Sequence, residues 1–206
     1  MKSEQFSKSL NNTELGKSGT HDTYILVPQD VSIKGIFPET NTFYDFKDQS
    51  TGETVSIRNT EGREKRIVGL GPYYTKNDLN AGDEIILEKR DNKGTVKRLI
   101  SYYKKHHSIV IQKYPSGFEI LTPHRTKLIE NAHTTDGKTV ILKFKERKKK
   151  RSDSPEETLF YDLLIDDLSI ADRYSTKEIL EIEILNGIAQ INKFCAWKKT
   201  EIETED

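Results

Sequence analysis

Turn residues cut the first half of this chain into short apolar runs, and that punctuation limits the fold more than any other feature. Residues 23–27 form a run ended by Pro28, and residues 43–46 and 54–58 flank the turn-rich stretch Ser50-Thr51-Gly52-Glu53. Further runs cover 65–69 and 84–89, and Asp91-Asn92-Lys93-Gly94 precedes a run over 95–103. Short strands at this spacing, separated by Gly, Pro, Asn and Asp, predict a compact β barrel. A second hairpin is expected from 108–113, the turn Tyr114-Pro115-Ser116-Gly117, and 118–121. Asp136-Gly137 then leads into 138–145, where Val140, Leu142 and Phe144 alternate with Ile141, Lys143 and Lys145 as on a half-buried strand.

The pattern breaks at Arg147-Lys148-Lys149-Lys150-Arg151 and Ser152-Asp153-Ser154-Pro155, a natural junction. Beyond it, Ser175 followed three positions later by Glu178 is a capping-box arrangement, and Ile179, Ile182, Leu185, Ile188 and Ala189 recur at helical spacing. A helix is therefore predicted from Ser175. We expect three parts: a barrel over 1–107, a hairpin and basic extension over 108–151, and an acidic, mixed α+β segment over 152–206.

Charge supports that division. The formal net charge is zero, yet residues 1–151 hold 28 Lys and Arg against 19 Asp and Glu, while residues 152–206 hold 5 against 14. A basic body suits a polyanion, and an acidic tail suits restraint of nonspecific binding or a partner surface. The single cysteine, Cys195, excludes an internal disulfide or a multi-cysteine metal site, and its neighbours Phe194 and Trp197 suggest a buried thiol. No apolar stretch approaches a membrane span, and the first residues carry no hydrophobic signal region, so a cytoplasmic protein is expected.

Two polar loops carry the chemistry. The first runs Leu15-Gly16-Lys17-Ser18-Gly19-Thr20-His21-Asp22 into Tyr24-Ile25-Leu26-Val27-Pro28, with Phe37-Pro38 further on. The second is Arg63-Glu64-Lys65-Arg66 running into Ile67-Val68-Gly69-Leu70-Gly71. These stretches resemble the N-terminal effector domain of EcoRII-type restriction endonucleases, a relative of the plant B-three transcription-factor fold. The resemblance covers roughly residues 10–88. It implies a seven-stranded pseudobarrel with short helices, whose two loops enter the major groove of double-stranded DNA and read base edges. On that basis one arm maps to Lys17, Ser18, Gly19, Thr20 and His21, and the other to Arg58, Asn59, Arg63, Glu64, Lys65 and Arg66. Leu79-Asn80-Ala81-Gly82-Asp83 resembles the Gly-Asp turn before a late strand of that fold. The chain departs from the family where Thr60, Glu61 and Gly62 stand in place of basic residues and where Leu26 replaces an aromatic, so base preference does not transfer.

The side chains suit such a role in their own right. Arg63 and Arg66 can each donate two hydrogen bonds to guanine O6 and N7, Glu64 can accept from cytosine N4, and Asn59 can pair with adenine. Lys17, Lys65 and the amides of Gly16 and Gly19 suit phosphates. The bland alternative is a solvated turn with surface ion pairs worth about 0–1 kcal/mol.

Other patterns are weaker. Gly16-Lys17-Ser18 resembles the end of a phosphate-binding loop, but Asn11 occupies the place of the required earlier glycine and a strand follows instead of a helix. His106 and His107, with Asn131 and His133, fit no metal or nuclease spacing. Asp136 with Glu146-Arg147-Lys148 matches the letters of a magnesium-dependent restriction nuclease site, Asp136, Glu146 and Lys148 being the candidates. The leading expectation is a DNA-recognition module of a restriction or related defence system, needing no cofactor of its own, with chemistry supplied by a separate nuclease domain or partner subunit. A small nuclease using magnesium is the second, and a non-catalytic protein-interaction adaptor the third.

Overall fold

A computed structural model describes residues 1–17, 21–129, 132–135, 138–150 and 159–204. It is mainly β and divides into two compact units, one of Met1–Lys104 with Ala196–Asp206 and one of Lys105–Cys195. In chain order the first unit contributes β1 (Lys2–Ser9), β2 (Tyr24–Val27), β3 (Phe43–Asp48), β4 (Thr54–Thr60), β5 (Lys65–Val68), the short helix α1 (Gly71–Lys76), β6 (Glu84–Asn92) and β7 (Thr95–Tyr103). The second contributes β8 (Ser108–Tyr114), β9 (Gly117–Ile120), β10 (Ala132–Thr135), β11 (Lys138–Lys150), β12 (Leu159–Ile165), β13 (Leu168–Ser169), β14 (Ile179–Leu185) and β15 (Ile188–Lys193). The last strand, β16 (Trp197–Glu203), returns to the first unit. No described helix is long and apolar enough to cross a membrane.

The first unit is one curled sheet in the order β16-β1-β6-β7-β3-β4-β5-β2, antiparallel except where β3 runs parallel to β7. Alternation fills its concave side. Phe6, Ile25, Val27, Phe46, Ile57, Ile67, Leu87 and Ile100 enter a single core, joined by Phe37 from the loop after β2 and by Tyr73 and Tyr74 from α1. Side chains of opposite parity face outward, which sets the surface that β2 to β5 present.

The second unit closes on itself. Its order is β11-β10-β15-β14-β8-β9-β12-β13, and β11 also pairs with β12, so seven strands make a barrel with β13 appended to β12. Closure removes the free edges that an open sheet of this size would expose. Ile109, Ile111, Phe118, Leu142, Leu163, Leu180, Ile182 and Ala189 form its core, separate from that of the first unit.

Three expectations need correction here. The helix predicted from Ser175 is the hairpin β14–β15: Leu180, Ile182 and Ile184 point inward by strict alternation, and Asn186-Gly187 turns the chain with φ of 51° and 76°, the two-residue turn that suits a hairpin. The capping-box contact does form, with the Ser175 amide donating to Glu178 Oε2 at 2.8 Å, but it closes a turn that leads into a strand. Second, the described residues of 152–206 make no mixed α+β segment of their own. Their described strands are shared between the barrel and the first unit, and the helical content there is one turn of 3-10 helix, Ala171–Arg173. Third, Cys195 is exposed, because it lies in the connection between β15 and β16 outside both cores.

Candidate functional site

The two polar loops are rooted in neighbouring strands. β2 pairs antiparallel with β5 over four positions, from Tyr24 opposite Val68 to Val27 opposite Lys65. The first loop enters β2 at Tyr24 and the second enters β5 at Lys65, so they leave opposite ends of one ladder, roughly 10 Å apart at about 3.4 Å per residue.

The first loop is held by a residue that neither motif contains. Glu14, 1% exposed, sits beside the free edge of β2, which is otherwise the sheet's last strand. Its Oε1 accepts from the Leu26 amide at 2.9 Å, and its Oε2 accepts from the Asn11 amide at 3.1 Å and from the buried Lys8 ammonium at 2.9 Å. Its carbonyl takes the Tyr24 amide at 3.0 Å. The edge that would offer unpaired amides is thereby satisfied, and the loop start is fixed to β1. Gly16, at φ 69°, comes so close to the His21 carbonyl oxygen that an added Cβ would lie 2.7 Å from it. His21 is exposed, with φ 57°. The Lys17 ammonium donates to Asn80 Oδ1 at 2.9 Å. Ser18, Gly19 and Thr20 lie outside the described residues.

The second loop, residues 61–64, is exposed between β4 and β5. Arg63 has no side-chain partner among the described residues, and its carbonyl accepts from Gln29 Nε2 at 3.3 Å. Glu64 Oε2 accepts from Arg66 at 2.9 Å through Nε and 2.7 Å through a terminal nitrogen, and that bond raises the Arg66 pKa further. The same guanidinium lies 4.2 Å over the Tyr24 ring. Burial pushes the Tyr24 hydroxyl up, and the arginine partly opposes it. Lys65 has the other parity: its ammonium donates to the Gln29 carbonyl at 2.6 Å and so secures the chain after β2.

Arg58 and Asn59 separate for the same reason. Arg58 faces outward, 5.0 Å over the Phe43 ring. Asn59 shares its face with Ile57, is 5% exposed, and leaves its Oδ1 buried without a hydrogen-bond partner among the described residues. It cannot reach a base edge from there. The outward row across the four strands, in register, is Tyr24, Val68, Arg58 and Phe43. Parity along β3 and β4 was the available signal for Phe43 and for excluding Asn59; nothing in the sequence announced the contact between Lys8 and Glu14.

The nuclease pattern is not assembled among the described residues. Asp136 lies outside them. Glu146 is exposed on β11 opposite Tyr161, eight positions down the strand from Lys138, or roughly 26 Å of extended chain. Lys148 continues the same strand. Among the described residues no group of three His, Cys, Asp or Glu could hold a metal ion. His106 and His107 are exposed in the turn before β8. No protein-family model matches the chain, and no curated protein matches it in sequence.

Proposed function

We propose that the first unit is a sequence-specific double-stranded DNA-binding module, the recognition part of a restriction or related defence system whose cutting is done by a separate nuclease domain or partner subunit. One observation carries the reading: the two loops that resemble groove-reading arms rise from the two ends of a single ladder, β2 with β5. The ladder between their roots spans roughly 10 Å, against a major-groove width of ~12 Å. The curled, mainly β sheet of this unit is compatible with a B-three-like pseudobarrel, with eight strands instead of seven.

Roles within the arms follow from the contacts. The exposed Arg63 has no side-chain partner among the described residues and is suited to guanine O6 and N7. Arg66 is held in place by Glu64 and Tyr24, which reduces the rotamer freedom it would lose on binding. In the first arm Lys17 is assigned to phosphates, where it would exchange its bond to Asn80 Oδ1, and the exposed His21 stands beside it. Lys65 serves chiefly to shape the site, since its ammonium is engaged with backbone carbonyls.

Selection of bound sequences from a random duplex library tests this directly. A single motif should be enriched, and Arg63→Ala should relax it at one base position at a cost of about 1–3 kcal/mol. A library from which no sequence is enriched overturns the proposal.

A further inference from the structure

The outward face of β2 to β5 holds an aromatic ring that the arms do not use. Phe43 is 58% exposed, the most exposed Phe of the first unit's strands. One face of its ring is covered by the Arg58 guanidinium at 5.0 Å. Arg58 Nε is buried without an acceptor among the described residues, which leaves the Phe43 ring as the contact that the guanidinium makes there. A second arginine on a second ring, Arg66 over Tyr24 at 4.2 Å, lies on the same face, but that ring is buried, which leaves Phe43 as the ring open to a ligand. Tyr24 and Phe43 share one register row, about 14 Å apart across three strand spacings.

We infer that Phe43, backed by Arg58, is a stacking platform for an unpaired base of single-stranded DNA; this rests on the reading that the first unit binds DNA, and not on the arms themselves. An exposed ring with a cation behind it offers a base a π surface beside positive charge, the pairing by which single strands are held without hydrogen-bond readout. The alternative occupant, an apolar protein surface, would ask for contiguous apolar area at its centre. Here the exposed apolar side chains, Leu26 and Phe43, are set apart by Arg66 and Arg58. Glu64 offsets Arg66, and Asp45 lies further along β3, but neither Arg58 nor Arg63 has a carboxylate partner among the described residues. Phosphates supply that charge.

The test measures binding of the full chain to a mixed-sequence 20-nucleotide single strand (~20 being a probe length, several stacking sites) and to a mixed-sequence duplex of the same length by fluorescence anisotropy. Phe43→Ala and Phe43→Leu should each weaken single-strand binding roughly 5- to 150-fold, the range for loss of one stacked base, while duplex binding holds. Phe43→Trp should retain single-strand affinity, with indole emission quenched on binding. Thermal unfolding checks that the variants fold. Duplex binding with single-strand affinity indifferent to Phe43 overturns the platform and leaves the arms standing. Single-strand binding that depends on Phe43, without any duplex binding, supports the platform and removes the arms. Failure of both probes removes both.

Discussion

Glu14 accepts hydrogen bonds from Lys8, Asn11 and Leu26, and all three approach a carboxylate that water hardly reaches. Removing it would leave the Lys8 ammonium, itself 7% exposed, with the Ser9 carbonyl as its remaining contact. Glu14→Ala should therefore cost about 3–5 kcal/mol in urea unfolding, whereas the double change Glu14→Leu with Lys8→Met should cost much less, because it removes the stranded charge as well. Equal costs would show that the ion pair is not what matters. Asp48 gives a second, pH-dependent case. Burial pushes its carboxyl up, but the Ser50 hydroxyl and the amides of Thr51 and Ser50 outweigh that and hold it at about 2, below the ordinary 3.8. The Tyr73 hydroxyl adds to the pull from nearby without hydrogen-bond geometry. A folded-state pKa below the unfolded one stabilises the protein above pH ~4, and that contribution is lost as the pH falls from about 4 through about 2. Asp48→Asn should remove it, on the order of 2 kcal/mol at neutral pH, and flatten the stability profile in that window.

Among the elements, the strands before residue 104 were legible wherever apolar and polar residues alternate between turn signals; β7, Thr95–Tyr103, has the bounds that its sequence predicts. β1 was not legible. Its residues Lys-Ser-Glu-Gln-Phe-Ser-Lys-Ser contain one large apolar side chain, and the strand is secured by pairing with both β6 and β16, which no local pattern reports. Around Ser175 a helical cap signal and a strand alternation overlapped, and tertiary pairing with β8 decided for the strand. Of the site, Arg63, Glu64 and Arg66 were legible as an exposed charged loop, whereas the inward parity of Asn59 and the bracket at Glu14 depend on which face meets the core. Turn glycines offer a test at this scale. Gly94, at φ 88° with open space where a Cβ would stand, should tolerate Ala at about 1–2 kcal/mol, the backbone cost alone. Gly69, at φ 100°, would place that carbon 2.7 Å from the Ser56 carbonyl oxygen, so Gly69→Ala should lower the melting temperature of the first unit distinctly more. Similar shifts for the two would refute the close approach between β4 and β5.

At the scale of the whole molecule, two separate cores predict two folding units, one of them interrupted in sequence. The interruption is well placed for removal. Tyr103, Glu84, Ser9 and Trp197 stand at the same end of adjacent strands β7, β6, β1 and β16, so the chain leaves and re-enters the first unit about three strand spacings apart, roughly 14 Å. Replacing residues 105–195 with a Gly/Ser linker of about six residues should leave a first unit that unfolds cooperatively in calorimetry and keeps duplex binding. Loss of cooperative unfolding would show that the barrel is required for it. The order of synthesis then matters. The ribosome makes β1 first and β16 last, with some ninety residues of barrel between Tyr103 and Trp197. At about 5–20 residues per second, β1 waits on the order of 10–40 s for the strand that covers its outer edge, roughly half of that while the barrel is being made. Through that interval the barrel can complete while its host still has an open flank, which makes the bare edge of β1 the place where a nascent chain is most exposed to pairing with the wrong partner.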